Sequence, residues 1–537
     1  MRKFTVFYII LLLIIVLPSQ TLMVRSKAFY PSHDGLIHIQ RIEEFHASII
    51  HGQVPPRITY YLNEGIGYPM FVANYQLPYY FAEIFMLITS DPVFSFKTVL
   101  SLTYILSIVF MFLVLKNFGG ALASLCGAIV FAYLPYRFAN LYTRAAFGES
   151  VAIMFVPLTL LTLNLISKNK KNGTLLFAFS VFGLITSHTI IFVLFVPFLI
   201  AYLLFFIKTD KKMIKKIIAG FLLSIGLSSF QLFPVIFERK YLRLEETFLQ
   251  VYSKHYINIY QLLRIPKEGI NMGSAYQIGI GSLMVIISSF ISLLIKRSKY
   301  LSIFLVFIFT SLFMILPISS WLWDYSLLLK YIIFPWRFLS IIILSTAFLT
   351  TYLVNNFKFK KFIAVFIILT SIYSSRHYFL KPTQFSSTPT SVIPGFPNEY
   401  DTIWTKDNTY KVQSLVTTKP HTNIQNLTND GSKLSFSLST SKPTDVIIRK
   451  IYFPGWTLKI NGVSHKLSQT DGLIHFQTAP GNWVIKIYLS ETPVRKIGDF
   501  ITLLSLVLLI VFFISNISGK LYLRNKINYL RMRQWLK

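Results

Sequence analysis

Six ionisable residues are of types that could carry out a group transfer if the fold brings them together. They are Asp34, Arg137, Arg144, Glu149, His188 and Arg337. A carboxylate beside an apolar wall can act as a general base toward a hydroxyl group. Arginine offers a rigid fork of donors that matches phosphate, and it does not lose its charge. These types together indicate transfer from a phosphate leaving group to a hydroxyl.

The stretch "YPSHDGLIHIQRIEEFHASIIHGQVPPRI", which starts at Tyr30, holds the first of these residues. Asp34, His38 and Arg41 are spaced i, i+4 and i+7, which predicts one face of a helix that begins there. Asp34 also suits a helix N-cap with no chemical role. His33 and His38 could bind a metal with Asp34, although histidines near a membrane surface are more often hydrogen-bonded or solvated. The sequence requires no metal and leaves a divalent metal cofactor open.

The other candidates also have plain structural alternatives. Arg137 and Arg144 could extend to lipid headgroups from the end of a span, which is the commoner role of such arginines. Arg337 could anchor the start of a helix among interfacial aromatic residues. Glu44 is expected on a solvated helix face and His46 in a loop.

These residues must be positioned by membrane spans, because 54% of the 537 residues are hydrophobic and the mean hydropathy is +0.57. Apolar stretches long enough to cross about 30 Å of hydrocarbon recur along the chain. They predict about twelve spans, near 4–23, 94–116, 119–135, 149–167, 174–188, 189–207, 217–236, 276–295, 300–317, 331–354, 361–380 and 497–516.

The net charge of +31 follows this topology. Every second connection is basic, as in "KNKK", "KTDKKMIKK", "KRSK" and "KFKK", and Asp210 is the one acidic residue in these loops. The positive-inside rule therefore places both termini in the cytoplasm of a multi-pass cell-membrane protein, and all six candidate residues on the outer side. The charge indicates orientation and anionic lipid, and no nucleic-acid partner.

Three regions follow from these patterns. Residues 1–380 are predicted to form the transmembrane domain, with a large first outer loop at 24–93. Residues 381–494 alternate polar and apolar positions, which predicts a small extracytoplasmic β-sandwich domain, and Asn461-Gly462 predicts a two-residue hairpin. Residues 495–537 are expected to form the last span and a basic cytoplasmic tail.

Several chemistries lack their motifs. The sequence has no Walker A, GxGxxG, HExxH, CxxC or GxSxG pattern, which argues against an ATP-driven pump or a serine hydrolase. No acidic residue falls deep inside a predicted span, and this weakens proton- or sodium-coupled transport.

The order of several segments resembles the GT-C superfamily of membrane glycosyltransferases, and more narrowly bacterial YfhO-type and "6-pyruvoyl-tetrahydropterin synthase-related" membrane proteins. The segments are "HDGLIHIQRIEEFHASIIHGQVPPR", "GIGYPMFVANYQLPYYFAE", "YRFANLYTRAAFGES", "LITSH", "FPWRF" and "YFPGWTLKINGV". The resemblance implies an α-helical polytopic membrane protein, GT-C-like, with about 12 transmembrane helices and a small extracytoplasmic β-sandwich domain near the C-terminus.

The resemblance also implies a sugar donor linked to polyprenyl phosphate, used at the outer face. The acceptor would be a cell-envelope polymer, a glycolipid or a protein. The first-loop carboxylate of the superfamily maps onto Asp34 as the catalytic residue, and this chain has His33-Asp34 where many members have paired acids. The expected substrate-binding residues are His33, His38, Arg137, Arg144, Glu149, His188 and Arg337.

Two other functions fit the same sequence. A transporter or flippase for lipid-linked glycans would need polar residues in the middle of several spans. An envelope-assembly scaffold would use the outer β-domain as its binding module, without transferase activity.

Overall fold

The computed structural model describes residues 2–25, 29–30, 32–244, 251–264, 276–380, 400–407, 409–412 and 414–535. Most of this chain is helical. The first α-helices are α1 Arg2–Val16, α2 Thr21–Arg25, α3 Gly35–Ile50, α4 Met70–Ala73, α5 Leu77–Thr89, α6 Pro92–Leu115, α7 Ala121–Tyr133, α8 Pro135–Phe138, α9 Phe147–Ser167 and α10 Gly173–Ser187. They are followed by α11 Thr189–Phe206, α12 Lys211–Phe237, α13 Ile259–Leu263, α14 Ile280–Ile295, α15 Lys299–Ile315, α16 Ser320–Tyr325, α17 Leu327–Ile332, α18 Leu339–Asn356, α19 Lys360–Leu380 and α20 Pro493–Trp535.

Six helical stretches of the described chain are long and apolar enough to cross a membrane. They are Pro92–Leu115, Phe147–Ser167, Thr189–Phe206, Lys211–Tyr241, Pro335–Asn356 and Pro493–Ser515. Two bent pairs, α7 with the segment that ends at Thr143 and α15 with the segment that ends at Tyr325, raise the number to eight if each is one span. Several of the expected membrane helices are therefore present, but the number of twelve spans is not confirmed.

Local sequence signals set several of these helix starts. Asp91 caps α6, where its side chain accepts a hydrogen bond from the Phe94 amide and proline occupies the first turn. Asp210 caps α12 in the same way through the Met213 amide, at 2.6 Å. Such caps satisfy amides that would otherwise lack partners at a helix start.

The C-terminal region contains eight strands in two antiparallel sheets. The strands are β1 Val416–Lys419, β2 Ile424–Asp430, β3 Lys433–Thr440, β4 Thr444–Ile451, β5 Trp456–Ile460, β6 Val463–His465, β7 Leu473–Thr478 and β8 Gly481–Leu489. One sheet has the order β1-β4-β7 and the other β2-β3-β8-β5-β6. Alternate residues of β3 are buried, so this sheet turns one apolar face to the core.

The small β region near the C-terminus is thus confirmed. The Asn461-Gly462 hairpin is confirmed too, because Ile460 pairs with Val463 and both turn residues have positive φ. All eight strands lie within the range 381–494 for which the sequence predicted a β domain. The predicted boundary at residue 381 lies outside the described residues.

The β region is fixed to the first outer loop. The Ile451 amide donates to the carbonyl of Ile66, and Lys450 Nζ donates to the carbonyl of Gly65 at 2.6 Å. The hydroxyl of Tyr60 donates to the carbonyl of Asp430. The two segments that sequence analysis places on the outer side therefore pack against each other.

Candidate functional site

The start of α3 is joined to the loop before α9 by two backbone hydrogen bonds. The amides of His33 and Asp34 donate to the carbonyls of Thr143 and Arg144, both at 2.9 Å. Asp34 occupies the N-cap position, but its side chain makes no capping hydrogen bond. Its Oδ1 instead lies 2.8 Å from His33 Nδ1. The carboxylate is therefore directed to the neighbouring imidazole and not to the helix.

Gly35 is required at this join for steric reasons. A Cβ at that position would overlap the ring of Phe29 and the Oγ of Ser32. Phe29 is fully buried and stacks against Tyr30. The glycine after Asp34 therefore lets the chain turn into α3 while it stays packed on this aromatic pair.

Glu149, in the first turn of α9, lies at the centre of a buried polar cluster. Its Oε1 accepts hydrogen bonds from the Tyr136 hydroxyl at 2.8 Å and from Asn140 Nδ2 at 2.9 Å. Its Oε2 accepts from Arg144 Nη1 at 2.9 Å and lies 3.9 Å from Arg337 Nε. A buried carboxylate with this many donors is stable as an anion, and it fixes Arg144 in place.

Two donors beside this cluster lack a protein partner within the described chain. Arg337 Nη1 donates to the carbonyl of Ile332, but its Nε makes no hydrogen bond. The indole Nε1 of Trp336 is unpartnered as well. The Arg144 guanidinium carbon lies 6.0 Å from the centre of the Trp336 ring. Single buried donors without a partner also occur at other arginines of the described chain, for example at Arg137 Nε. Here two such donors lie together beside Arg144, and this grouping favours an anionic ligand.

Sequence analysis missed two aromatic residues of this site, Tyr276 and His255. Both rings pack on Trp336, with centroid distances of 4.7 and 4.8 Å. Burial raises the pKa of Tyr276 to about 12, with the Arg144 charge opposing the shift and Asp34 adding to it. These residues lie in a connection without a recognisable motif, so no signal in the sequence pointed to them.

The electrostatics of the His33–Asp34 pair oppose the effect of burial. Burial alone would raise the pKa of the Asp34 carboxyl, but the His33 hydrogen bond and the Arg144 charge hold it below its usual value. The hydrogen bond to Asp34 raises the pKa of His33 in turn, against the effect of burial. Burial and the nearby Arg41 charge lower the pKa of His38 to about 3.

The two remaining histidine candidates have structural contacts. His38 Nδ1 lies 3.0 Å from the Tyr79 hydroxyl, and the imidazole stacks on Phe96. His188 caps α11 by accepting from the Ile191 amide, and its ring stacks on Tyr75 at 5.4 Å. His38 also donates its backbone amide to the carbonyl of Asp34 at 3.0 Å, so both histidines belong to the surroundings of the site.

Arg137 lies apart from the Glu149 cluster in its direct contacts. Its Nη2 donates to Ser107 Oγ at 2.6 Å, and its guanidinium packs over the rings of Tyr104 and Phe131. Arg137 and Arg144 are both buried within the protein, so neither extends to lipid headgroups. Of the two, Arg144 is the one positioned beside Arg337.

Two smaller predictions were wrong. Glu44 is buried, not solvated, and accepts hydrogen bonds from the amides of Tyr60 and Tyr61 at 2.6 and 3.0 Å. His46 lies on α3, not in a loop, with its Nδ1 2.9 Å from Glu83 Oε1. Both side chains lie on α3 and hold other parts of the first outer loop against this helix.

No group of three or more histidine, cysteine, aspartate or glutamate side chains is arranged to hold a metal within the described ranges. The pair His33 and Asp34 is close enough to share an ion, but His38 is hydrogen-bonded to Tyr79. The metal-ligand interpretation of these three residues therefore lacks its third ligand.

Comparisons with known proteins give one family match. Residues 76–234 match the model of the family described as dolichyl-phosphate-mannose-protein mannosyltransferase. This segment, under a third of the chain, contains Arg137, Arg144, Glu149 and His188. A protein of Lactococcus lactis subsp. cremoris, named only as an uncharacterized protein, is 31% identical over 242 residues. That alignment covers 43% of this chain and 39% of the relative.

Two solved structures show a weaker similarity. The mycobacterial arabinofuranosyltransferase AftD is 14% identical, with a TM-score of 0.46, and the match covers 71% of this chain and 27% of AftD. The oligosaccharyltransferase of Archaeoglobus fulgidus is 13% identical, with a TM-score of 0.44, and the match covers 70% of this chain and 55% of that protein. This chain therefore spans much less than the full length of the proteins it matches. At these TM-scores neither similarity bears on its activity.

Proposed function

We propose that this protein is a membrane glycosyltransferase of the GT-C type that moves a sugar from a polyprenyl-phosphate carrier to an envelope acceptor on the outer face of the membrane. The observation that carries the proposal is that a carboxylate–imidazole pair lies next to two arginines. A carboxylate–imidazole pair, His33 and Asp34, is hydrogen-bonded through its backbone to the segment that holds Arg144, and Arg337 lies with Arg144 around Glu149. A base and an anion site thus meet at one place.

The anion site suits a departing phosphate. Arg144 is fixed by Glu149, while Arg337 Nε and Trp336 Nε1 make no hydrogen bond with the described residues. Fixed donors aimed at developing negative charge are among the largest contributions to catalysis. In this proposal the charges of Arg144 and Arg337 neutralise the lipid phosphate as the bond to the sugar breaks, and the Trp336 indole donates a hydrogen bond to it.

The base site suits an acceptor hydroxyl. Proton transfer depends on the Asp34 carboxylate, which is ionised at neutral pH because its pKa is held below the usual value. The hydroxyl oxygen attacks the anomeric carbon from the side opposite the phosphate, so that the sugar configuration inverts. His38 and His188 support the site through Tyr79 and Tyr75, and Arg137 supports the packing of α7 and α8.

The partial match to the mannosyltransferase family model agrees with a lipid-phosphate sugar donor. We propose the outer β region as the part that recognises the acceptor, since it packs directly on the first outer loop. Both termini are proposed to lie in the cytoplasm.

The proposal is tested by comparing envelope polymers of cells with and without the gene. Loss of one sugar substituent from a polymer, glycolipid or protein is expected, together with accumulation of the lipid-linked donor. Purified protein in liposomes should then transfer a tritiated hexose from undecaprenyl phosphate to the envelope fraction of the deletion strain. Movement of the lipid-linked sugar across the bilayer without transfer would instead establish the flippase alternative.

A further inference from the structure

The half-exposed imidazole of His33 lies where the proposed reaction needs a base. Its side chain is 47% exposed, whereas that of Asp34 is 25% exposed. Its Nδ1 is occupied by Asp34 Oδ1 at 2.8 Å, and no described residue forms a hydrogen bond with its Nε2. A histidine whose Nδ1–H donates to a carboxylate presents a free lone pair at Nε2.

We propose that His33 Nε2, and not the Asp34 carboxylate, removes the proton from the acceptor hydroxyl, and that Asp34 is a positioning residue for His33. This inference rests on the proposed glycosyl transfer. The acceptor oxygen forms its bond to the anomeric carbon, and the bond from that carbon to the phosphate oxygen breaks. The electron pair leaves with the lipid phosphate, while the proton moves to His33 Nε2 and then to water.

The backbone explains why this pair can act as a unit. The amides of His33 and Asp34 are both held at 2.9 Å by the carbonyls of Thr143 and Arg144. The chain on the C-terminal side is fixed by α3, which begins at Gly35 where no larger residue fits. The imidazole is therefore oriented by its own backbone on one side and by Asp34 on the other.

Three charged or titratable groups act on His33. Asp34 raises its pKa through the hydrogen bond, and Arg144 opposes that shift. His255, on the segment packed against Trp336, is the third, and its pKa is lowered first by burial and then by His33. The base form of His33 is the neutral one, so transfer is expected to increase as the pH rises through its raised pKa. Removing the Asp34 charge lowers that pKa and moves the increase to lower pH.

The test uses full-length protein in liposomes, with tritiated hexose on undecaprenyl phosphate and the deletion-strain envelope fraction. His33→Gln is expected to lower the transfer rate by about 10²- to 10⁴-fold, the usual contribution of a general base, with the KM for the donor unchanged. His46→Gln is the matched control, because His46 forms a similar pair with Glu83 on the same helix at 2.9 Å. It should transfer at the wild-type rate.

Asp34→Asn should retain a small residual transfer rate. In its pH profile, the increase of the rate with pH should occur at lower pH than in the wild-type protein. Hydrogen exchange at the imidazole C2 position, followed by mass spectrometry, should show the same displacement for His33 without any substrate. Transfer by His33→Gln within a few-fold of wild type would overturn the role of His33 and leave the proposed function standing. Absence of transfer by the wild-type protein with every hexose donor would overturn the proposed function itself.

Discussion

Arg337 and Arg57 are both buried arginines paired with carboxylates, but their surroundings differ. Arg57 Nε donates to Glu491, its Nη1 to the carbonyl of Phe230 and its Nη2 to Asp499. Arg337 donates to the carbonyl of Ile332, and its Nε, which lies 3.9 Å from Glu149 Oε2, makes no hydrogen bond within the described chain. A buried charge alone does not mark a functional site. Arg337 differs because its unfilled Nε follows the unfilled indole of Trp336 in the chain, so that two hydrogen bonds remain for a ligand to make.

The two arginines also join different parts of the molecule. Arg57 connects the first outer loop to α20 through Asp499, which ties the last long helix to the rest of the protein. Arg337 lies within the transmembrane region, beside Glu149 and the segment that carries Arg144. We therefore interpret Arg57 as structural and Arg337 as a ligand-binding residue, and the predictions below test that difference.

Among the arginine variants, the largest effect on the transfer rate is expected for Arg337→Ala. Transfer should fall by about 10²- to 10³-fold, because one fixed donor to the leaving phosphate is lost. The liposome transfer assay measures this, with the melting temperature in detergent as the check on folding. An unchanged rate in a folded variant would place the phosphate elsewhere.

Arg57→Met is expected to act on stability. Removing the arginine takes a partner from Glu491 and Asp499 and a donor from the carbonyl of Phe230. The two carboxylates are 31% and 23% exposed, so solvent offsets part of the loss. Thermal unfolding of the purified variant in detergent should show a clearly lower melting temperature. The fraction that remains folded should transfer at the wild-type rate, and a rate loss as large as that of Arg337→Ala would remove the contrast between the two arginines.

Arg449→Ala should have the smallest effect. Arg449 donates to Glu64 at 2.8 Å, but the Glu64 side chain is 88% exposed. Pairs of this kind contribute about 0–1 kcal/mol. The melting temperature and the transfer rate should both stay close to wild type, and a large drop in either would show that this contact controls how the β region sits on the first outer loop.

Much of the architecture could be predicted because it depends on local sequence. Apolar runs located the membrane helices, and alternation located the strands from Lys433 onward. The full set of residues that form the site could not be predicted in the same way. Glu149 is held by Tyr136 and Asn140, and hydropathy gives no reason to select these two from the surrounding polar and aromatic residues.

Other parts depended on contacts between distant segments. Glu44 follows another glutamate, as on a solvated surface, and it is buried because amides of the first outer loop need an acceptor. Arg137 and Arg144 lie in the same short segment, "YRFANLYTRAAFGES". Arg137 nevertheless contacts Ser107 on α6, while Arg144 contacts Glu149. A short π-helix over Ala139–Thr143 separates them.

The most direct test of the central claim is the transfer rate of Asp34→Asn, measured in liposomes beside the wild-type protein and checked for equal folding and expression. The account predicts a loss of at least about 100-fold, the lower end of what a general base contributes, because proton transfer depends on Asp34 through His33. It also predicts that the same variant, expressed in cells without the native gene, fails to restore the missing sugar on the envelope polymer. Wild-type rates and full restoration by Asp34→Asn would contradict it.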